Sequence, residues 1–167
     1  KKIENKAEFA VQTFWDESGG FFDTTHQPGA LGVLQLRSKP FQDGDTPAAN
    51  PAAAEVLGRL FYLTNHRPYQ ERARETLRVF AGVTLRRGIH GATYALALAL
   101  YLNPPAHAVI VGTRSAPETQ GLWRAALRAY RPGKIVAAYD PEEVKIESLP
   151  PAVAAAVKIG QLDRKAK

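Results

Sequence analysis

The 167-residue chain contains no cysteine, which excludes disulfides, thiol nucleophiles and thiolate metal sites together. Its four histidines, His26, His66, His90 and His107, are scattered, with no two at helical ligand spacing, so no protein-only zinc site is expected. Long apolar runs are missing as well. The richest, residues 92–102, covers about half of the roughly 20 residues a membrane-spanning helix needs. Residues 1–5 lead into an amphipathic segment, so no signal-peptide pattern opens the sequence. The expectation is a cytoplasmic protein with no membrane partner and no cofactor.

With hydrophobic residues at 45% and charged ones at 23%, the composition suits one soluble domain with a real core. A net charge of +6 raises the question of nucleic acid. The basic residues argue against it. Arg67, Arg72, Arg74, Arg78, Arg86 and Arg87 interleave with Glu71 and Glu75, as on a solvated helix face, and no RNA-binding or helix-turn-helix signature accompanies them. No nucleic-acid partner is expected.

Residues 3–16 carry Ile3, Ala7, Ala10, Val11, Phe14 and Trp15 at the spacing of an amphipathic helix. That helix has neither a cap nor a starting methionine, so the chain is expected to begin inside a larger protein. Asp16 to Gly20 is turn chemistry, with Gly20 suited to a positive φ. Phe21 and Phe22 then predict a short strand that pairs with 31–36 as a small β-hairpin. Residues 37–50 hold two prolines and no periodicity, a long loop of the kind that carries function.

Three helices follow. The first covers 51–64, with Asn50 as its N-cap and Pro51 at its first position. The second covers 68–86. The third, 89–102, is apolar almost all round and predicts burial on every side. Short connectors make these antiparallel αα-hairpins. Beyond Asn103-Pro104-Pro105, a β-branched run at 107–111, a helix opened by the capping box Ser115-Ala116-Pro117-Glu118, and a run at 135–138 predict a βαβ unit with parallel strands. The predicted organisation is 1–103, then 104–140, then a tail over 141–167 with a short alanine-rich helix.

Trp15-Asp16, Gly19-Gly20-Phe21-Phe22-Asp23-Thr24, Arg37-Ser38-Lys39-Pro40 and Asp43-Gly44-Asp45-Thr46-Pro47-Ala48-Ala49-Asn50 carry a resemblance. In this order they are similar to the C-terminal part of thioredoxin-domain-containing proteins with a glycosidase-like (α/α)6 toroid, relatives of N-acylglucosamine 2-epimerase in the six-hairpin superfamily. The resemblance covers roughly residues 7 to 145. Ala48-Ala49 stands where that family usually has Ser-Gly, and Asp45 where alanine is common, so one hydroxyl is lost from the loop. The resemblance implies a mainly α chain: αα-hairpins of a partial toroid, plus a short C-terminal βαβ appendage. Its implied partners are the N-terminal toroid helices and the thioredoxin-like domain of a parent chain, and exposed faces imply self-association of the isolated chain.

A carbohydrate-like or peptide ligand would need polar groups and an aromatic platform around a cavity. Arg37, Lys39, Asp43 and Asn50 are the polar candidates, with Trp15 and Phe22 as stacking surfaces. A sugar epimerase or isomerase site would draw its proton-transfer groups from Asp23, His26, Arg37 and Asp43. The bland alternative pairs Arg37 with an aspartate to fix the loop and leaves the aromatics in the core. A third reading is a module that only scaffolds a redox domain. The turn Val111-Gly112-Thr113-Arg114-Ser115 offers backbone N–H groups to an anion, yet lacks G-x-G-x-x-G and a Walker lysine, and a plain strand-to-helix connection explains it as well.

Overall fold

The computed structural model describes residues 2–25, 36–84, 86–131 and 133–165. These residues are mainly helical. In chain order they form α1 (Lys2–Phe14), α2 (Ala49–Thr64), α3 (Arg67–Thr84), a 3-10 turn (Gly88–Gly91), α4 (Ala92–Leu102), β1 (His107–Val111), α5 (Pro117–Arg128), β2 (Ile135–Tyr139), a second 3-10 turn (Ile146–Ser148) and α6 (Pro151–Lys165). They fall into two compact units, Lys1–Phe61 with His66–Asn103, and Tyr62–Asn65 with Pro104–Lys167.

Two apolar clusters hold the first unit. In one, Phe21, Leu57, Leu60, Tyr69 and Ala73 are buried, and Ala7, Ala10, Val11, Phe14 and Trp15 pack on them from α1 and the residue after it. In the other, Ala54, Leu77, Phe80, Tyr94 and Ala97 join α2, α3 and α4, with Phe41 stacked on Phe80 at 5.2 Å. The Tyr94 hydroxyl sits inside this second cluster and donates to Leu77 O at 2.9 Å, which meets the requirement that a buried polar group find a partner.

The first helix ends two residues earlier than its periodicity predicts, at Phe14. Trp15 leaves α1 and forms an isolated antiparallel bridge with Phe21 across the intervening turn. The expected pairing with 31–36 lies outside the described residues over 31–35. Asn50 corrects the expected cap: α2 starts at Ala49, and the Asn50 side chain points inward instead. The predicted capping box of α5 is also corrected. Ala116 is the N-cap, no side chain caps it, and Pro117 opens the helix. A proline at the first position has no N–H to satisfy, so it fixes the start two residues beyond the serine.

The largest correction concerns α4. Tyr94, Ala97 and Leu100 are buried, but Leu96 is 62% and Leu102 65% exposed. A helix without a charged side chain should be covered on all sides. Within the first unit it is covered by α3 and the Gly88–Gly91 turn, and an open groove of about 380 Å³ runs along Tyr94, Leu98 and Leu102.

In the second unit β1 and β2 pair in parallel, with His107 opposite Ile135 and Val111 opposite Tyr139. This is the predicted strand–helix–strand order. Gly112 N donates to Tyr139 O at 3.0 Å, so the turn after β1 spends that N–H on the sheet rather than on an anion. Lys134 ends α5: its Nζ donates to the carbonyls of Ala126, Leu127 and Ala129, a lysine on the negative end of the helix dipole. No helix among the described residues is long and apolar enough to cross a membrane.

Candidate functional site

The segment 15–25 and the loop 36–50 meet beside the first cluster, and their polar side chains are the sequence-predicted site. Its backbone is laid down by a turn. Asp16 O accepts from Gly19 N at 2.8 Å, and Asp16 N donates to Gly20 O at 2.9 Å. Gly19 and Gly20 have φ of 97° and 84°, a region that suits glycine.

Lys39 reaches into this turn. Its Nζ lies 2.5 Å from Asp16 Oδ2 and donates to Ser18 Oγ at 3.0 Å and Gly19 O at 2.7 Å. The lysine and the Ser18 hydroxyl hold the Asp16 carboxyl down to about 2. Asp16 is thus the group the sequence reading left out of the site; its signal was an aspartate two residues before a serine, at the end of a helix. Arg37 corrects the expectation that it fixes the loop through an aspartate. Its guanidinium lies 3.8 Å above the Phe22 ring and, among the described residues, is in no ion pair. Lysine, not arginine, makes the loop's ion pair.

Asp23 accepts from the Ser38 amide at 3.0 Å and the Ser38 hydroxyl at 2.5 Å. The hydroxyl and the amide hold its carboxyl below the usual carboxylate range. Asp43 does more. Its Oδ1 accepts from Ala48 N at 2.9 Å, at the start of α2, and its Oδ2 from Thr93 N at 2.7 Å, in the first turn of α4. Its own N–H and C=O bind His90 through the backbone oxygen and Nδ1. Burial opposes ionisation of Asp43, but the Thr93 and Ala48 amides outweigh it and the carboxyl stays below its ordinary value. One carboxylate therefore caps two helices that are distant in sequence, where their dipoles favour negative charge.

Asn50 closes the arrangement from beneath. Fully buried, it accepts from Phe21 N at 2.6 Å and donates to Phe21 O and Pro40 O, each at 2.9 Å. Trp15 stands edge-on to Phe21 with centroids 5.1 Å apart and is half-buried against the core. His26 lies outside the described residues. The structure thus brings Asp23, Arg37, Lys39, Phe22 and Asn50 together around one turn, and sets Asp43 at the helix starts. Every polar group of the set except Arg37 is spent on internal bonds. Among the described residues, no three histidines, aspartates or glutamates gather in a way that would hold a metal.

One consequence is measurable in acid. An aspartate whose folded value lies below its unfolded one, about 3.9, contributes stability above pH 4, and that contribution disappears as pH falls toward 2. For a pair at the protein surface the contribution is about 1 kcal/mol or less. Lys39→Met is expected to lower the urea midpoint at pH 6 and to flatten the fall between pH 4 and pH 2. An unchanged acid limb in the variant would remove the pair from the account.

No family model matches the chain. Over 140 residues, 82% of its length, it is 32% identical to spermatogenesis-associated protein 20 of Homo sapiens. The same protein from Rattus norvegicus and from Mus musculus is 31% identical over the same extent. The match spans 18% of the length of these curated relatives, so the chain is similar to one segment of a much longer protein.

Proposed function

We propose that the chain is a structural segment of a spermatogenesis-associated protein 20-like polypeptide, built into a glycosidase-like helical toroid that scaffolds a thioredoxin-like domain in a cytosolic protein. One observation carries this reading: Asp23, Lys39, Asp43 and Asn50 are spent on holding loops and helix ends together, while apolar helix faces remain uncovered. A groove of about 330 Å³ between α1 and α2 is lined by Ile3, Ala7, Ala10, Val56 and Leu57. With the open face of α4, it presents surface of the kind that other helices cover. Asp23 is held ionised by the Ser38 hydroxyl and amide, and Asp43 by the Thr93 and Ala48 amides against the opposing effect of burial, which makes both poor at taking up a proton near neutral pH.

A second reading is favoured by Arg37. Exposed, stacked on Phe22 and outside every ion pair among the described residues, it is suited to the carboxylate or hydroxyl groups of a carbohydrate-like or peptide ligand. The test uses the full-length polypeptide. Hydrogen exchange of the α1, α2 and α4 amides is expected to be at least tenfold slower in the full polypeptide than in the 167-residue chain. Equal exchange in both would overturn the scaffold reading. Titration of the same polypeptide with uronic acids and short acidic peptides separates the second reading. Binding abolished by Arg37→Ala supports a ligand rim, and no binding leaves scaffolding alone.

A further inference from the structure

Helix α5 is finished at one end and bare at the other. Lys134 supplies donors to its last carbonyls, whereas Ala116 at the N-cap offers no side-chain acceptor. Pro117 has no N–H, and the first bond into the helix runs from Gln120 N to Ala116 O at 3.0 Å. The N–H groups of Glu118 and Thr119 have no acceptor among the described residues. An open first turn alone is an ordinary helix start, which water satisfies.

Thr119 adds an independent observation. It is 7% exposed, yet its hydroxyl makes no hydrogen bond among the described residues. The buried threonines of α3 behave otherwise: Thr76 and Thr84 donate to Arg72 O and Phe80 O, each at 2.8 Å. A buried polar group without a partner is costly and calls for a reason. Helical side chains lean toward the N-terminus, and Thr119 Oγ1 lies over Gly112, where a Cβ would collide with it. The hydroxyl is thus aimed at the turn that leads into α5, beside the two open N–H groups. Gly112 N is taken by Tyr139 O, and Asp140 is spent in its own turn, accepting from Glu142 N at 3.1 Å. Arg114, on the turn itself, is exposed and in no ion pair among the described residues.

We propose that the N-terminus of α5 binds the phosphate group of a phosphate monoester. The Glu118 and Thr119 amides and the Thr119 hydroxyl each donate to a phosphate oxygen, the helix dipole adds attraction, and Arg114 offsets the remaining charge. A carboxylate has two oxygens for these donors; a phosphate monoester has three. The place is the carboxyl end of a parallel strand, where open α/β sheets take their ligands. Glu118 opposes the anion, but its side chain is exposed and can turn to water.

The test uses the full-length polypeptide at constant ionic strength. Glycerol 3-phosphate at about 20 mM is expected to slow hydrogen exchange over residues 113–121 about tenfold, and titration gives its affinity. Thr119→Val keeps the shape and removes the hydroxyl. It should weaken binding about tenfold and raise the urea midpoint, because a buried group without a partner is lost. A packing role alone would raise the midpoint and leave the affinity unchanged, which would overturn the proposal. No slowing at about 20 mM would overturn it too. Tighter binding of inorganic phosphate than of the ester would overturn the ester in favour of the free ion. Should Thr119→Val fail to fold, two exposed positions decide: Arg114→Ala should weaken binding about fivefold and Glu118→Gln should tighten it, and no shift in either would overturn the site.

Discussion

Asn50→Leu is expected to lower the unfolding free energy by about 4 kcal/mol, the largest effect of any single polar substitution in the first unit. The side chain is 0% exposed and holds three backbone groups: the N–H and C=O of Phe21 and the C=O of Pro40. Leucine matches the volume and leaves all three without a partner, at about 1–3 kcal/mol for each buried group. Asn50→Asp separates this account from one based on packing. The carboxylate still accepts from Phe21 N–H but faces two carbonyl oxygens with no donor, so it should be nearly as damaging as leucine. Urea unfolding followed by Trp15 fluorescence, in a Trp123→Phe background, reads the first unit. A loss below about 1 kcal/mol in Asn50→Leu would mean that water or a shifted loop replaces the side chain.

Asn50 also marks where the sequence was legible and where it was not. An asparagine before a proline at the start of an apolar helix is a good N-cap by local rules. The helix instead begins one residue earlier, and the amide is claimed by Phe21, 29 residues away in the chain. Local rules cannot weigh buried backbone groups elsewhere in the chain, here the N–H and C=O of Phe21 and the C=O of Pro40, that need partners. The same limit explains Asp43, visible as a loop aspartate but not as the cap of α4, since its acceptor role depends on Thr93, 50 positions on. Elements set by short-range pattern came through: the three helices after residue 48, and the parallel βαβ order with its turns. The exposed half of α4 did not. Its composition reports the environment the helix is suited to, and in the first unit only one side of that environment is present.

The same distinction makes Gly19 the sharper of the two turn glycines. Its φ of 97° costs an L-residue about 1–2 kcal/mol by itself. A Cβ there would stand 2.9 Å from Glu75 O and 2.8 Å from Val79 Cγ2, on the flank of α3. The valine can rotate; the helix carbonyl cannot, so the turn must lift off α3. Lifting it also pulls the Gly19 carbonyl from Lys39 Nζ and loosens the pair with Asp16. Gly19→Ala is therefore expected to cost about 3 kcal/mol and to shift the Asp16 titration upward toward its unfolded value, two readouts with one cause. Gly44→Ala is the control: a Cβ there meets nothing within 4 Å and the backbone is not at positive φ, so the change should stay within about 0.5 kcal/mol. If Gly19→Ala were as mild as Gly44→Ala, the turn would not be seated on α3, and the placement of Lys39, Arg37 and Phe22 around it would lose its physical basis.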